Sequence, residues 1–571
     1  MYAFTFDVWR RQCVLDHWHH DSRARSLDSP DRPRHRKGMR MTRFHSQESV
    51  DAPLDQVVRW HSLPGAVTRL SPHWAQTVVR EGIPSAPGTR THMKIAAPGS
   101  RGAIRVPWIS EHFALDDADI APLTAPVDLT ASTVHGFGDR MVESPRAPMR
   151  SWDHRHVFRA DPSPTPGTSR SPAPEAAAAP SPATLIDDTV DLELPRLPGR
   201  LARVPGAGLP ESVTLKTLER TFAARTTRLT SDLAFLRSID APTTGGSRPL
   251  RILIAGASGL VGTQLTALLT TAGHTVRRLV RHEPTTAQSP TDPEAPPTAP
   301  LSATGETPDQ ESQWDPRAGL LLRDDLAWAD VVVNLAGRSI GGRLSDAAKE
   351  EILSSRIETT RLLVTTIAAL PPEDRPEAFL CASAVGLYGT DRRTPATEAA
   401  SAGDGFLAEV CRAWEDEAAA VEASGVRRVS IRTGLVLSGL GGLLALRVPL
   451  YLAGAGGRLG SGDQWFPWIS HDDLVRVYAR AIVDASLTGP VNAVAPGIVR
   501  QREFAKAMGR HLRRPAIVPV PRLGPALLLG GDGADELALA GQNVIPAALD
   551  AAGFAFTHPD LTDCLVEELG P

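Results

Sequence analysis

The sequence predicts an α/β protein in which a doubly wound parallel sheet follows an α+β module and precedes a small C-terminal domain. Three observations carry this. From Leu250 onward short apolar runs alternate with helical patterns, the signature of βαβ units. Before Asp240 the apolar period is two and then near 3.6, as for strands followed by one long helix. At 571 residues the chain has room for about three domains of ordinary size.

Composition narrows the class. Apolar residues make up 42% and charged residues 22%, which excludes a wholly disordered or fibrous chain. Sixty-one basic against 65 acidic residues leave a net charge of −4, so no global electrostatic case for nucleic acid exists. Cys13, Cys381, Cys411 and Cys564 lie far apart without metal-ligand spacing. Neither a disulfide framework nor a zinc site is expected, and a reducing, cytoplasmic compartment fits. No apolar run reaches the ~18 residues of a membrane span.

Residues 1–40 are basic, carry His17, His19, His20 and His35, and lack the apolar stretch of a signal peptide, so a disordered leader is expected. A basic arm for nucleic acid is the alternative. The α+β module runs over 41–240. Val190, Leu192 and Leu194 alternate with Asp191 and Glu193 in "TLIDDTVDLELP", and weaker alternation marks "THMKIAA" and "HRHVFRAD". Residues 211–239 then place Leu215, Leu218, Phe222, Leu229, Leu233 and Leu236 on one helical face, which implies a sheet folded around that helix. A Pro/Ala/Ser-rich stretch at about 160–183 cannot bury a core and is expected to be a disordered insert. "APTTGGSR", between Asp240 and Arg248, reads as a linker.

The parallel sheet spans 250–518, with strands at "LRILIAGA", "TVRRLVR", "ADVVVNLAG", "EAFLCASA" and "RRVSIRTGLVL". A helix is expected over Ser345–Leu370, and a second disordered insert over about 283–313. "GASGLVG" sets Gly256, Gly259 and Gly262 between a strand and a helix. Such glycines let a backbone approach a pyrophosphate, and the helix start offers free N–H groups. A tight turn without ligand would show the same spacing. The dinucleotide would rest on Gly256, Ser258, Gly259, Leu260, Val261 and Gly262. The second strand ends on Val280 and Arg281 with no acid before Glu283, which favours the 2′-phosphate of NADP over NAD, NAD remaining possible.

"GASGLVG", "NLAG" (Asn334 to Gly337) and "SAVGLYG" (Ser383 to Gly389) resemble the extended short-chain dehydrogenase/reductase superfamily. Within it "SSRIETTRLL", "DGFLAEVCRAWE", "RTGLVL", "QWFPWISHDDLV" and "ADELALAGQNVIP" resemble the atypical epimerase family 39U. The resemblance implies a Rossmann domain that binds NADP(H), and a C-terminal domain of unknown function over 519–571. It places Leu335 and Ala336 along the dinucleotide and brings Arg356, beside Glu351, towards the cofactor. The superfamily's chemistry uses a Ser, and a Tyr with a Lys four residues on. Ser383 stands in the Ser position, but Leu407 and Cys411 occupy "GFLAEVCRAWE" where the Tyr and Lys belong. Tyr388 is the candidate substitute acid, with Arg392 its nearest cation in sequence. Cys411 reads as a buried helix cysteine rather than a nucleophile. His471, Asp472 and Asp473 fit an acid/base or metal cluster, or a helix start capped by Asp472; no metal is assigned.

The amino-terminal part, through "SVDAPLDQVVRWHSLPGAVTRLSP", "SWDHRHVFRAD" and "TLIDDTVDLELP", resembles the START-like, polyketide-cyclase-like helix-grip domains fused ahead of this family in actinobacteria. That implies a cavity for a lipid or aromatic ligand. Trp60, Trp74, Trp108 and Trp152 fit its lining or core packing equally. The expected function is an NADP(H)-binding epimerase/dehydratase-like oxidoreductase acting on a small molecule. The alternative is an inactive dinucleotide-binding regulator linked to cell division, as plastid and cyanobacterial relatives suggest.

Overall fold

The computed structural model describes residues 39–96, 105–115, 134–144, 149–161, 183–195, 211–281 and 310–571. The expected leader, with Cys13, and most of both expected inserts lie outside them. Residues Arg40–Pro571 form one compact unit.

Seven strands build the first sheet: β1 (Met39–Val50), β2 (Gln76–Arg80), β3 (Arg90–Ala96), β4 (Arg105–Ala114), β5 (Val134–Glu143), β6 (Ser151–Asp161) and β7 (Ala183–Pro195), in the order β1-β7-β6-β5-β4-β3-β2. The ladders from β2 to β7 are antiparallel. Across its face runs the helix Glu211–Ser238. Its first half packs Leu218 and Phe222 against Trp108, Val190 and Leu192. Of the expected apolar face, Leu215 is only half buried, and Thr214 takes the buried position beside it.

The second sheet uses β8 (Arg251–Ala255), β9 (Thr275–Val280), β10 (Glu311–Asp315), β11 (Leu320–Leu321), β12 (Val331–Asn334), β13 (Ala378–Ala384), β15 (Arg427–Thr433) and β19 (Gly489–Ala493), ordered β11-β10-β9-β8-β12-β13-β15-β19. Only β11 is antiparallel to its neighbour. β12 is buried throughout and paired on both edges, as the three consecutive valines before Asn334 lead one to expect. Shorter ladders pair β14 (Asp391–Ala396) with β21 (Gly541–Val544), β16 (Leu435–Ser438) with β18 (Trp468–Ser470), and β17 (Trp465–Phe466) with β20 (Val499–Arg500). The expected helix is found at Asp346–Ala368, capped by Ser345.

The inserts are shorter than the sequence suggests. Glu311–Asp315 is a strand, because Glu311, Ser312 and Gln313 pair with Arg278, Leu279 and Val280 and Trp314 is buried beneath them. Likewise β6 continues to Asp161 and β7 begins at Ala183, where the two pair directly.

The two sheets share a core. Leu229, Leu233 and Leu236, in the second half of the long helix, join Trp60 and Leu70 and also Leu265, Leu268 and Leu269 of the helix Leu260–Thr271. Between them lies a buried ion cluster. The Asp232 carboxylate accepts from Arg69 Nη2 at 2.7 Å and Arg476 Nη2 at 2.9 Å, while Asp472 accepts from Arg69 Nη2 at 2.6 Å and pairs with Arg228. Gly65 (φ 96°) touches the helix backbone directly, since a Cβ there would sit 2.5 Å from Ala267 O. The expected linker is likewise held: Thr243 is buried, its N–H donating to Ala272 O at 3.0 Å and its hydroxyl to Thr271 O at 2.7 Å.

Candidate functional site

The turn Gly256–Gly262 lies where the strand order reverses, with β9 on one side of β8 and β12 on the other. Such a switch point opens a crevice at the C-terminal ends of the strands. Gly256 adopts φ 83°, and a Cβ on it would meet Leu335 C at 2.8 Å and Ala336 N at 2.9 Å. A Cβ on Gly262 would lie 2.3 Å from Gly256 O, so the helix can start this close to the strand only with glycine there. Ser258 and Gly259 are exposed, Leu260 and Val261 half buried. No side chain caps the helix at Gly259, which leaves its first N–H groups for an anion.

The "NLAG" loop lies across that turn. Buried Asn334 donates to Thr360 Oγ1 at 3.0 Å and accepts from Ala336 N at 3.1 Å, and Leu335 N donates to Ala255 O at 2.9 Å. Arg356 Nη1 donates to Arg338 O and Ile352 O, both at 3.0 Å, and its guanidinium lies 4.9 Å from the Trp414 ring centroid. Its side chain backs Gly337, and burial lowers its pKa. Glu351 is half exposed and pairs with Arg338. Val280 pairs with Gln313 of β10, leaving Arg281 exposed at the strand end. Arg277 and Arg278 are engaged by Asp325 at 2.8 Å and Glu311 at 2.7 Å.

Ser383 stands near the C-terminal end of β13, directly opposite Arg432 of β15. Its hydroxyl donates to Glu415 Oε1 at 2.6 Å, and Arg432 closes a bidentate pair on the same carboxylate at 2.9 and 2.8 Å. Leu407 and Cys411 lie against the turn after Ser383, where a Cβ on Gly386 would meet Leu407 Cβ at 3.1 Å and Cys411 Sγ at 4.0 Å. Burial pushes the Cys411 thiol up to about 11, which makes it a poor nucleophile. Glu415 follows Cys411 by one helical turn. Sequence reasoning passed over it, although its spacing from Cys411 was a usable signal.

Tyr388 is as buried as Ser383, which is 3% exposed, and packs with Val385 and Val494. It is 2% exposed. Its hydroxyl donates to Asn492 Oδ1 at 2.7 Å and accepts from Arg432 Nη1 at 2.8 Å. Burial raises its pKa, against the pull of Arg432. The cation beside it is therefore Arg432, not Arg392. The helix His471–Val483 is capped by Ser470, whose side chain accepts from Asp473 N, so Asp472 is not the cap but a member of the ion cluster. His471, which burial lowers to about 3, is neutral; its Nε2–H donates to Leu260 O at 3.1 Å and steadies the turn from below.

The N-terminal sheet encloses a separate cavity of about 140 Å³, lined by Met93, Trp108, Phe137, Trp152, Phe222 and several histidines. Of the four tryptophans considered, Trp108 and Trp152 line it. Trp60 belongs to the shared core, and Trp74 packs on Gly570. Among the described residues no helix is long and apolar enough to cross a membrane.

Comparison with known proteins gives this arrangement a lineage. The NAD dependent epimerase/dehydratase family matches residues 252–493, and a domain of unknown function (DUF1731) matches 520–568. An epimerase family protein of Mycobacterium tuberculosis, MT2273, is 39% identical over 315 residues, 55% of this chain and 96% of that protein. The human epimerase family protein SDR39U1 is 32% identical over 322 residues, 56% of this chain and 99% of that protein. A structure of the human protein with NADPH has a TM-score of 0.47 at 30% identity, covering 56% of this chain and 98% of that one. The nucleoside-diphosphate sugar epimerase of Corynebacterium glutamicum aligns with a TM-score of 0.64 and 31% identity over 92% of this chain and 90% of that one, a span that takes in the N-terminal sheet. With the glycine turn at the switch point and relatives matched along nearly their whole length, the chain belongs to the NAD dependent epimerase/dehydratase family.

Proposed function

We propose that the chain is an NADP(H)-dependent epimerase/dehydratase-like oxidoreductase acting on a small molecule, in a reducing, cytoplasmic compartment. The observation that carries it is the uncapped helix start at Gly259, set in a glycine turn at the switch point. The turn Gly256–Gly262 would hold the pyrophosphate, Leu335 and Ala336 the flank of the dinucleotide, and Arg281 the 2′-phosphate, β9 itself carrying no carboxylate among the described residues. Arg356 and Glu351 would act indirectly, by holding the "NLAG" loop through Arg338. When bound, the dinucleotide supplies hydride transfer. The chain's own part is to orient the substrate oxygen on Ser383, whose partner Glu415 can exchange a proton with it. Tyr388 acts as a positioning residue that holds Arg432 against Glu415.

Sequence modules at 41–240, 250–518 and 519–571 remain our division of the chain. The first, START-like, would hold a lipid or aromatic ligand in its cavity. Arg281→Ala tests the cofactor assignment. The native chain should prefer NADPH to NADH by about ten- to a hundredfold, the worth of one charge-assisted contact, and the variant should lose that preference. Equal affinities in the native chain, by calorimetry, would overturn it.

A second reading has its own support. With Leu407 and Cys411 against the Ser383 turn and the Tyr388 hydroxyl fully bonded, a dinucleotide-binding regulator without turnover also fits. Firm NADPH binding, with no change of its redox state across sugars, ketones and lipids, would select that reading.

A further inference from the structure

The cavity of the N-terminal sheet gathers several titratable side chains within a mostly apolar lining. Asp139 on β5 stands directly opposite His154 on β6, and His156 stands opposite Asp188 on β7. Because side chains alternate across a strand, His154 and His156 point to the same face. Asp139, His154 and His156 all line the cavity. One potential ligating atom from each lies within 4.8 Å of the others. His154 is 2% exposed and His156 5%.

The hydrogen bonds around these residues have the pattern of a metal site's outer sphere. Asp188 Oδ1 lies 3.1 Å from His154 Nε2 and 2.5 Å from His156 Nδ1. One carboxylate thus orients both imidazoles, as the second partner of a metal-bound histidine commonly does. The atoms left for an ion are His154 Nδ1, hydrogen-bonded to Asp139 Oδ2 at 2.9 Å in a contact that a shared ion would replace, and His156 Nε2, which has no hydrogen bond among the described residues. The other oxygen of Asp139 is held by Trp152 Nε1 at 3.2 Å. On β4, opposite Asp139, His112 is bonded through Nε2 to Thr91 Oγ1 at 2.9 Å. Among the described residues its buried Nδ1 has no partner, so it calls for a further polar group.

We propose that this cavity binds one divalent late first-row metal ion through Asp139 Oδ2, His154 Nδ1 and His156 Nε2, with its open positions turned to the apolar chamber. Two imidazoles and one carboxylate form a donor set suited to Zn²⁺ or Fe²⁺. Asp188 is the outer-sphere carboxylate, and His112 bonds a metal-bound water. Three protein ligands leave room for a substrate oxygen. An apolar ligand carrying a carbonyl or hydroxyl would place that oxygen on the ion and its body against Trp108, Phe137 and Phe222. The proposal does not depend on the dinucleotide site.

The test uses the full-length chain, stripped with a chelator and dialysed against Zn²⁺ or Co²⁺. One ion per chain by mass spectrometry and visible d–d absorption of the Co²⁺ form are expected. His156→Gln should abolish both, and Asp188→Asn should weaken binding by about ten- to a hundredfold. His73→Asn, at the buried His73–His471–Glu568 cluster, should leave both unchanged. His17, His19 and His20 stay in every variant, so loss in His156→Gln assigns the ion to the cavity. Should His156→Gln lose its far-ultraviolet circular dichroism, Asp139→Asn, close to native in volume, carries the same test. A native chain that shows no d–d bands, or a folded His156→Gln or Asp139→Asn chain that keeps native affinity, would overturn the proposal.

Discussion

Ser383, Glu415, Arg432 and Tyr388 form one continuous polar chain, but its members do different work. Ser383→Ala removes the hydroxyl that would hold a substrate oxygen, so turnover should fall about 10²- to 10⁴-fold with NADPH affinity within a few fold of native. Tyr388→Phe strips Arg432 and buried Asn492 of a partner, and its effect should appear as about 1–3 kcal/mol of lost stability in urea titration. A Tyr388→Phe chain of native stability and no turnover would return that residue to proton transfer. A pH effect belongs at this scale too. Burial lowers His274 to about 4 and His471 to about 3, so both stay neutral in the folded chain while the unfolded chain takes up protons near pH 6.5. Stability is therefore lost as pH falls below about 6.5, by about 2 kcal/mol per histidine by pH 5. His274→Asn should shallow that dependence, measured as urea midpoints at the two pH values. Ser383 was legible because it ends a predicted strand. Arg432 and Asn492 were not, since only the β13–β15 register and the packing behind it bring them to Ser383 and Tyr388.

The elements that sequence disclosed best are those whose signal is local. Gly256, Gly259 and Gly262 sit within one turn of chain, and their spacing follows directly from the close approach of helix and strand. Gly262→Ala would drive a methyl group into Gly256 O, so the variant should lose about 1–3 kcal/mol of stability and its dinucleotide binding together. A variant that binds NADPH as well as the native chain would show that the turn can relax. β10 was hidden because Glu311–Asp315 ends a polar, Pro/Thr/Glu-rich stretch and shows no apolar alternation beyond Trp314. Its strand identity comes from pairing with β9 rather than from its own sequence. The titratable cluster of the N-terminal cavity was hidden for a related reason. "HRHVFRAD" gave the alternation of His154 and His156, but Asp139 and Asp188 reach them only across strands.

At the scale of the whole molecule, the proposed modules meet in a shared core. Helix Glu211–Ser238 serves both sheets, and the cluster of Arg69, Arg228, Arg476, Asp232 and Asp472 is buried where they meet. Asp232→Asn would leave Arg69 and Arg476 short of charge in a dry site and should cost about 3–5 kcal/mol. The native chain should unfold in one transition, with tryptophan fluorescence and circular dichroism coinciding; two separated transitions would restore independent folding of the parts. The contact at Gly65 carries this joint into the chain's history. Because Gly65 meets the backbone of Ala267 there, with the Thr270 hydroxyl beside it, any side chain at position 65 would push the helix away. A foreign N-terminal module grafted onto this parallel sheet would have to bring a glycine at that contact, and descendants that shed the module would be free of that demand. Glycine at 65 should therefore persist in every lineage that keeps both sheets joined at this helix.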